Sequence, residues 1–422
     1  MGSRIAIIGT GYVGLTTGAC FAHLGHDVVC ADIDPARIER LSRGVLPIYE
    51  PGLQEIVEAG IASGRLRFVV GAADAAKDCE FAYLCVQTPQ GDDGSADLTY
   101  LQAAAAEIAK LLPANAVVVN KSTVPVGSTK VVERVLGRHD VAVVSNPEFL
   151  REGSAVSDFL KPDRVVIGSD DLNAATRVAD LYSETSAHLI VTDPASAETI
   201  KYAANAFLAT KISFVNAVAA VCEAVGADVN DVVLGIGYDK RIGHEFLKPG
   251  PGWGGSCFPK DTRAMVKIAE NDGYDFNLLK GVVVVNDEQR ERMVTKVETA
   301  VGGKLDGAVI AAWGLTFKAN TDDLRESPAI AIIDELQKRG AIVTAYDPQV
   351  RQHPTIAVGP DAYTVCDGAD TLLVLTEWDE FRWLDLDEVK GRLRHPNIVD
   401  TRNLLDRSAA LRAGFSYQGV GR

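Results

Sequence analysis

The sequence has fewer basic than acidic residues, and this shortage limits what the protein can bind. Its 422 residues include 42 Lys and Arg against 57 Asp and Glu, which gives a formal net charge of −15 and a pI near 5.0. DNA and RNA are bound by basic surfaces, and no basic run here is long enough to reverse the acidic balance. We therefore expect no nucleic-acid partner. A small anionic ligand is still compatible with this composition, because a few local cations and backbone N–H groups bind phosphate at any net charge.

Paired cysteines, metal-ligand clusters and long apolar runs are also missing. The seven cysteines are an odd number with scattered spacing, which favours a reducing compartment over a disulfide framework. No Cys and His group has the spacing of a metal site. No uninterrupted apolar run reaches the ~18 residues of a membrane span, and the chain starts directly with a predicted strand rather than a signal peptide. We expect a cytoplasmic protein without metal or membrane segment.

A glycine-rich loop close to the start of the chain indicates a dinucleotide-binding unit. The apolar residues 4–8 are typical of a buried parallel strand, and Gly9-Thr10-Gly11-Tyr12-Val13-Gly14 follows directly, before a helical pattern. In such a unit Gly9 makes the tight turn, Gly11 lets a pyrophosphate approach the backbone, and Gly14 lets the helix pack on the sheet. The N-terminus of the helix then faces the phosphates.

The second strand of this unit, residues 28–31, leads to an acid that selects the cofactor. The carboxylate of Asp32 is placed to accept from ribose hydroxyls and would repel a 2′-phosphate, which favours NAD over NADP. Arg37 is the nearby residue that would instead favour a phosphate. The predicted NAD contacts of this unit are Gly9, Gly11, Tyr12, Val13, Gly14, Asp32 and Arg37.

Three further strands of the first α/β domain each end in polar residues. The strands are predicted over residues 81–86, 116–120 and 141–144. In an open parallel sheet, ligands lie over the carboxyl ends of the strands, so Thr88, Thr123, Glu148 and Glu152 are expected to meet in one crevice. Each of them alone is equally well explained as a turn or cap residue. The acidic and glycine-containing residues 91–98 predict a surface loop.

The middle of the chain is predicted to be helical. Residues 198–224 and 275–301 have apolar side chains at helical spacing. Lys201 and Asn205 are four residues apart and therefore share one helix face, where they are able to donate to an oxyanion. A helical region of this kind joins two domains and pairs with its copy in a dimer.

A second α/β pattern begins near residue 305. Its strands are predicted over residues 308–313, 341–346, 371–375 and 398–399, and it lacks the glycine fingerprint. Lys318 and Arg402 are its candidate phosphate or sugar contacts. The predicted fold is α/β, with two Rossmann-like doubly wound domains joined by a long central helix and a helical dimerisation region. The predicted domain boundaries are 1–196, 197–302 and 303–422.

A single cysteine stands between a glycine run and a Lys-Asp pair, in residues 250–261. Glycines let a ligand come close to the main chain, so Cys257 can reach a substrate carbon without crowding. Lys260 adds positive potential, which favours thiolate over thiol. Asp261 is able to accept a proton from an alcohol or a water. A buried, inert cysteine in a tight loop is the competing interpretation of this stretch taken alone.

Taken together, these segments resemble the UDP-glucose/GDP-mannose dehydrogenase family over nearly the whole chain. The motifs that carry the resemblance are Gly9-x-Gly11-Tyr12-Val13-Gly14, Lys121-Ser122-Thr123-Val124-Pro125, Asn146-Pro147-Glu148-Phe149-Leu150-x-Glu152-Gly153, Lys201-x3-Asn205, Gly254-Gly255-Ser256-Cys257-Phe258-Pro259-Lys260-Asp261 and Phe317-Lys318-x3-Asp322-Asp323-x-Arg325-Glu326-Ser327. Arg241-Ile242-Gly243 and Phe246-Leu247-Lys248 resemble the UDP-glucose branch, so UDP-glucose is the implied substrate. Trp253 in the glycine run leaves the sugar identity open.

The resemblance implies two successive oxidations at C6 of the sugar, with NAD as the cofactor. Cys257 would trap the aldehyde as a thiohemiacetal, and the second oxidation would give a thioester. Lys201 and Asn205 would stabilise the oxyanions, and Asp261 would relay a proton. Glu148 or Glu152 would share thioester hydrolysis with Thr123, and the division between the two glutamates stays open.

The resemblance also implies further contacts and a homodimer. The additional cofactor contacts are Thr88, Thr123, Glu152, Lys260 and Arg325. The implied substrate contacts are Phe149, Leu150, Arg151, Glu152, Lys201, Asn205, Arg241, Phe246, Leu247, Lys248, Gly250, Gly254, Lys318 and Arg402. Arg241 would reach the sugar pocket of a partner subunit.

Three alternatives stay open from the sequence. The first is a dehydrogenase of GDP-mannose or UDP-N-acetylmannosamine. The second is a two-electron hydroxyacid dehydrogenase, which would need no cysteine. The third is a nucleotide-sugar binding protein without turnover. Cys257, Lys201, Asn205 and Asp261 argue against the third, since binding does not require these groups.

Overall fold

Two β-sheets, the first mostly and the second wholly parallel, organise the chain, and helices flank each of them. The computed structural model describes residues 2–91 and 96–422, so residues 92–95 of the surface loop predicted over 91–98 lie outside the described residues. Two compact units are distinguished: Met1–Ala204 together with Arg263–Asp272, and Asn205–Thr262 together with Gly273–Arg422. The three domain boundaries expected from the sequence stay a prediction.

The first sheet has eight strands in the order β3-β2-β1-β4-β5-β6-β7-β8. The strands are β1 (Arg4–Ile8), β2 (Asp27–Asp32), β3 (Leu66–Val70), β4 (Phe81–Leu84), β5 (Val117–Asn120), β6 (Ala142–Ser145), β7 (Arg164–Gly168) and β8 (His188–Thr192). All neighbours pair in parallel except β6 and β7, which meet antiparallel at Ser145 and Gly168. The strand order reverses at β1, between β2 and β4, which is where doubly wound sheets bind their ligands.

The helices of the first sheet cover both of its faces. They are α1 (Tyr12–His23), α2 (Pro35–Ser42), α3 (Leu53–Ala62), α4 (Ala73–Ala76), α5 (Thr99–Ile108), α6 (Ser128–Leu136), α7 (Ala155–Leu160) and α8 (Leu172–Asp180). Ile5 and Ile7 pack into one hydrophobic layer, and Ala6 and Ile8 pack into the other. A strand buried on both faces reads as a continuous apolar run, which explains why β1 was predictable from sequence.

Four helices make up the middle of the chain: α9 (Pro194–Val225), α10 (Val229–Gly237), α11 (Phe258–Asn271) and α12 (Asn277–Ala300). The two long helices predicted here are confirmed as α9 and α12. Among the described residues, α9 is the one helix that is long and apolar enough to cross a membrane, judged by length and composition alone. One such helix is weak evidence, since helices of soluble proteins pass the same test.

The second sheet has six parallel strands in the order β11-β10-β9-β12-β13-β14. They are β9 (Val309–Trp313), β10 (Ile342–Tyr346), β11 (Ala357–Val358), β12 (Thr371–Val374), β13 (Asn397–Asp400) and β14 (Ser416–Gln418), with helices α13 (Pro328–Lys338), α14 (Leu386–Arg392) and α15 (Arg407–Arg412). The α/β fold with two doubly wound sheets is thus confirmed. The dimerisation role of the helical region stays a prediction.

Candidate functional site

The glycine loop after β1 has the geometry that a bound pyrophosphate requires. Gly9 has a φ of +100°, and a Cβ there would lie 2.6 Å from the carbonyl oxygen of Cys85. A Cβ on Gly14 would lie 1.9 Å from the carbonyl oxygen of Gly9, so this glycine is required where α1 packs on the turn. A Cβ on Gly11 would meet no atom within 4 Å. The loop is therefore open at Gly11, directly before the N-terminus of α1.

Asp32 is held in place at the carboxyl end of β2. Its Oδ2 accepts from the backbone N–H of Thr10 at 2.9 Å and from the Thr10 hydroxyl at 2.7 Å. Burial tends to raise the pKa of Asp32, but the hydrogen bonds from Thr10 and the charge of Arg37 lower it below its usual value. Nη1 of Arg37 lies 3.5 Å from Oδ2 of Asp32. The acid is therefore ionised at neutral pH, and Arg37 is paired with it.

Glu50 ties the glycine loop to the segment after β6, and sequence reasoning missed it. Its carboxylate is buried and accepts from the hydroxyl of Tyr12, from the N–H of Gly153 at 2.6 Å and from the N–H of Ala155 at 2.8 Å. Burial, followed by the bond to Glu50, raises the pKa of Tyr12, so its hydroxyl stays protonated. The charge of Glu152 acts in the same direction. No local pattern marks an isolated glutamate in a loop as a structural tie.

The structure brings together polar residues that follow adjacent strands. The hydroxyl of Thr88, after β4, donates to the carbonyl oxygen of Thr123, after β5, at 2.8 Å. Both residues are buried. Val124 packs in the hydrophobic layer beneath. Thr88 and Thr123 therefore meet at the ends of β4 and β5, as parallel pairing allows. The crevice expected to include Glu148 and Glu152 as well stays a prediction.

A buried ion pair follows β6. Nζ of Lys201, on α9, lies 2.7 Å from Oε1 of Glu148, and both side chains are 4% exposed. Oε2 of Glu148 accepts from the N–H of Leu150 at 2.6 Å. Burial raises the pKa of Glu148, but the charge and hydrogen bond of Lys201 outweigh this and lower it. Phe149 lies beside the pair, with Nζ of Lys201 5.5 Å from its ring centroid and the guanidinium of Arg164 at 3.7 Å.

In the second unit, Cys257 directly precedes α11. The N–H of Asp261 donates to the carbonyl oxygen of Cys257 at 2.9 Å, which closes the first helical turn. A helix N-terminus carries partial positive charge and favours thiolate over thiol. Oδ2 of Asp261 accepts from Nδ2 of Asn205 at 2.6 Å, and its Oδ1 lies 2.5 Å from Nζ of Lys260. Four predicted site residues, Cys257, Lys260, Asp261 and Asn205, thus lie at the start of this helix.

The glycine run before Cys257 is fixed by buried amides from α9 and α12, which the sequence analysis did not single out. Asn216 accepts from the N–H of Gly250 at 2.8 Å, and Gln289 donates to its carbonyl oxygen at 2.7 Å. Asn286 accepts from the N–H of Trp253 at 2.8 Å. A Cβ on Gly254 would lie 2.0 Å from the carbonyl oxygen of Glu326. Asn216, Asn286 and Gln289 are amides on the buried faces of helices, and this pattern was the signal in the sequence that could have identified them.

The other predicted substrate contacts of the second unit include Arg241 and Arg402, and each of these two bonds to different partners. Arg241 is exposed and pairs with Asp239 at 2.6 Å. The guanidinium of Arg402 donates to the carbonyl oxygens of Leu375 and Phe317, each at 2.8 Å. Arg402 therefore fixes loops at the ends of β9 and β12.

Of the other candidates, the structure places Leu247 in the interior and Lys248 on the surface. Phe246 has a φ of +60°. Arg325 forms a two-pronged pair with Asp323, with Nη2 of Arg325 2.7 Å from its Oδ2. In the first unit Arg151 pairs with Asp158 at 2.6 Å. Across the described ranges, no group of three or more His, Cys, Asp or Glu side chains is arranged to hold a metal ion.

A doubly wound sheet with an open glycine loop, an ionised acid at the end of the second strand and a cysteine at a helix N-terminus is typical of dinucleotide-dependent oxidoreductases. Family-specific sequence models match three successive parts of the chain: the NAD binding domain at residues 3–186, the central domain at 195–288 and the UDP binding domain at 311–407. The chain belongs to the UDP-glucose/GDP-mannose dehydrogenase family.

Individual relatives agree with this assignment over their full length. The UDP-glucose 6-dehydrogenase of Rhizobium meliloti is 47% identical, with 99% of each chain covered. The structure of a UDP-glucose dehydrogenase from Pyrobaculum islandicum is 38% identical, with a TM-score of 0.92 over 100% of this chain and 98% of that one. The structure of a UDP-D-ManNAc dehydrogenase from Pyrococcus horikoshii is 29% identical, with a TM-score of 0.90 over 99% of both chains.

Proposed function

We propose that the protein oxidises UDP-glucose to UDP-glucuronate with NAD, in two successive two-electron steps. Its membership of the family and its 47% identity to a UDP-glucose 6-dehydrogenase support this substrate. The observation that carries the proposal is the position of Cys257. Six of the seven cysteines are buried, and Cys257 is the partly exposed one, at the N-terminus of α11.

The residues of the first unit fit NAD. Gly11 leaves the loop open, the N-terminus of α1 would face the phosphates, and the ionised Asp32 would accept from the ribose hydroxyls. When bound, NAD supplies the hydride acceptor for both oxidations. Thr88 and Thr123 are proposed as further contacts of the same cofactor.

Cys257 solves the problem of a reactive aldehyde between the two oxidations. The first step removes a hydride from C6 and a proton from its hydroxyl, and gives the aldehyde. The thiolate of Cys257 then attacks the aldehyde carbon, and the resulting alkoxide takes up a proton to form a thiohemiacetal. Removal of a second hydride and that hydroxyl proton gives a thioester. Water then adds to the thioester carbon, and the sulfur leaves as the regenerated thiol.

The other site residues control charge and protons in these steps. Lys201 and Asn205 are proposed to donate to the oxyanions that form at C6. Asp261 is proposed to accept the alcohol or water proton, because its carboxylate is held by Asn205 and Lys260. Glu148 or Glu152, with Thr123, is proposed to assist thioester hydrolysis.

The nucleotide sugar is proposed to be bound by residues that the family resemblance implies. Its proposed contacts are Phe149, Leu150, Arg151, Glu152, Arg241, Phe246, Leu247, Lys248, Gly250, Gly254, Lys318 and Arg402. The second candidate substrate is UDP-N-acetylmannosamine, because the structure of such a dehydrogenase matches this chain with a TM-score of 0.90.

The test is to count NADH per sugar consumed across a panel of nucleotide sugars. Limiting UDP-glucose should yield about two NADH per molecule, because two hydrides leave C6. One NADH with free aldehyde would indicate a two-electron dehydrogenase instead. Binding without NADH would indicate a binding protein, and faster turnover of UDP-N-acetylmannosamine would transfer the assignment to that sugar.

A homodimer is part of the proposal, and α9 supplies its surface. Phe207, Phe214, Val221 and Val225 are 65%, 56%, 60% and 71% exposed in the single chain and recur at helical spacing along α9. An apolar row of this length is typical of an interface with a second copy. Phe214→Asp should shift the molar mass measured by light scattering from dimer to monomer. Binding of the wild type to lipid vesicles would point to a membrane surface as the occupant instead.

A cytoplasmic location is also proposed. All seven cysteines are free in the structure, which is usual for a protein of a reducing compartment.

A further inference from the structure

A second buried lysine in the first unit has no role in the chemistry proposed above. Lys121 is 4% exposed. Its Nζ donates to Oδ1 of Asn146 at 3.1 Å and to the hydroxyl of Tyr182 at 3.2 Å. Within residues 2–91 and 96–422, Lys121 forms no ion pair, so both of its bonds are to neutral oxygens. Burial of a cation without a carboxylate partner is unfavourable and is rarely retained without a function.

The surroundings of Lys121 are compatible with both of its protonation states. A neutral amine has two N–H groups, and the site offers two oxygen acceptors. The charged ammonium has a third N–H, and it is stabilised by the rings of Tyr182 and Phe159, whose centroids lie 5.6 Å and 6.0 Å from Nζ. The hydrogen bonds of the network therefore persist when Lys121 changes its charge.

The same network connects Lys121 to the Glu148–Lys201 pair. Asn146 accepts from Tyr182 at 2.7 Å, and its Nδ2 donates to the carbonyl oxygen of Val166 at 2.8 Å, so its side chain is fixed on three sides. Glu148 follows two residues later in the chain. Any change at Lys121 is therefore passed to the backbone that carries the carboxylate, as well as acting through its charge.

We propose that Lys121 is a positioning residue for this reaction. It fixes the segment from Asn146 to Glu148, and its positive charge attracts the Glu148 carboxylate in competition with Lys201. Lys201 thereby keeps part of its own charge available for the oxygen that reacts at C6. This inference rests on the proposed function, in which Lys201 donates to an oxyanion.

The charge of Lys121 is set by groups on several elements. Burial lowers the pKa of Lys121 to about 8, the charges of Glu148 and Cys85 act to raise it, and Lys201 acts to lower it further. Tyr182 faces the lysine with a hydroxyl that stays protonated, because burial raises its pKa. The positive charge is present below about pH 8 and is lost as the pH rises through that value.

The same shift makes a prediction for stability. Lysine in an unfolded chain keeps its proton up to pH ~10.4. Between about pH 8 and that value, the unfolded state binds a proton that the folded state has lost, so the contribution of Lys121 to stability increases with pH. Below about pH 8 both states are charged, and burial of the charge destabilises the fold by a constant amount.

The experiment compares Lys121→Met, which keeps the length of the side chain but removes the charge, with Lys130→Met. Lys130 is an exposed lysine on α6 that pairs with Asp170, and it serves as the matched control. In Lys121→Met, kcat for UDP-glucose should fall by about tenfold or more at pH 7. The KM for NAD should be unchanged. The wild type is expected to lose kcat above about pH 8, where Lys121 loses its charge, and Lys121→Met should lack this loss.

Melting temperature separates positioning from a purely structural role. Lys121→Met should melt at or above the wild-type temperature at pH 7, because a buried charge has been removed, and it should lack the wild-type rise in stability above about pH 8. In Lys121→Arg, which stays charged, activity should be partly restored at pH 9.

Two results would overturn the role of Lys121. One is a wild-type kcat and pH profile in Lys121→Met, and the other is a parallel fall of kcat and melting temperature at pH 7. A wild-type enzyme that does not oxidise UDP-glucose would overturn the proposed function and this role together. The pH dependence of melting still measures the titration of Lys121 in that case.

Discussion

At the scale of single residues, the cysteines show how position decides reactivity. Burial raises the pKa of Cys85 and of Cys366 to about 12, so these thiols stay protonated at neutral pH. Cys257 differs in its partial exposure and in its place before α11. The same side chain is thus a small apolar core residue at one position and a candidate nucleophile at another.

The first prediction concerns this cysteine. Cys257→Ala should lower UDP-glucuronate formation by roughly 10³-fold or more, because neither covalent intermediate can form. It should still slowly oxidise added UDP-6-aldehyde through the hydrate. Cys257→Ser should bind UDP-glucose almost normally and accumulate a covalent intermediate, since an alkoxide is a poorer leaving group than a thiolate.

The measurements are NADH formation and mass spectrometry of enzyme quenched during turnover. Cys222→Ala, at a buried position of α9, is the matched control and should keep wild-type turnover. Near-wild-type UDP-glucuronate production by Cys257→Ala would contradict the covalent mechanism.

The second prediction concerns cofactor selection. Asp32→Ala should weaken NAD binding by roughly 10–100-fold, because charge-assisted hydrogen bonds to the ribose are lost, and it should narrow the gap to NADP. In Asp32→Ala, Arg37 no longer has Asp32 as its ion-pair partner, and its free charge would favour the 2′-phosphate of NADP. Titration calorimetry with both cofactors measures this. Asp34→Ala removes a nearby carboxylate as control, and a wild type that prefers NADP would contradict the prediction.

At the scale of elements, the start of α6 depends on a residue of α9. Glu198 is 2% exposed and accepts from the N–H of Gly127 at 2.6 Å and from the N–H and hydroxyl of Thr129 at 2.9 Å and 2.7 Å. The carboxylate caps the N-terminus of α6, where partial positive charge favours an anion. Glu198 thereby joins α9 to the start of α6, a few residues after Thr123 in the chain.

The third prediction follows from this cap. Glu198→Gln should lower the free energy of unfolding by about 1–3 kcal/mol, because an amide cannot satisfy all three donors. Burial raises the pKa of Glu198 above its usual value in the fold, so its contribution to stability is greatest at acidic pH and falls as the pH rises towards the folded value.

Urea unfolding at several pH values measures both effects. Glu198→Gln should lack the part of the decrease in unfolding free energy with rising pH that Glu198 contributes in the wild type. Glu133→Gln, on the exposed side of α6, should leave stability within ~0.5 kcal/mol. Equal losses in the two variants would contradict the capping role.

At the scale of the whole molecule, the question is whether one chain completes its own site. The side chain of Arg241 is 89% exposed and contacts Asp239 on its own chain. The exposed apolar row of α9 supports pairing with a second copy. These observations are consistent with an arginine that serves the sugar pocket of a partner subunit.

The fourth prediction tests this arrangement. Arg241→Ala and Cys257→Ser should each be inactive alone, and co-expressed chains with two different tags should recover activity in the purified heterodimer. The recovery arises because one of its two sites combines a native Arg241 with a native Cys257. Heterodimers of proven composition without activity would contradict a shared site.

The sequence by itself determined the features that depend on local pattern. The glycine loop with Asp32, the two long helices and the cysteine before a Lys-Asp pair all follow from spacing and residue type, because turns, helix periodicity and buried strands are local properties. Strands β3, β7 and β8 of the first sheet were missed, since each has an apolar run of only three residues, which is too short to indicate a strand by itself.

Only the tertiary structure decided which polar groups meet. Lys201 and Glu148 are 53 positions apart in the chain, and Glu50 and Ala155 are 105 apart, so no local pattern encodes these pairs. Lys121 was visible in a motif, but its hydrogen bonds to the neutral oxygens of Asn146 and Tyr182 became known only with the fold. Burial sets the charge of such groups, and burial is a property of the packed chain rather than of the sequence around each residue.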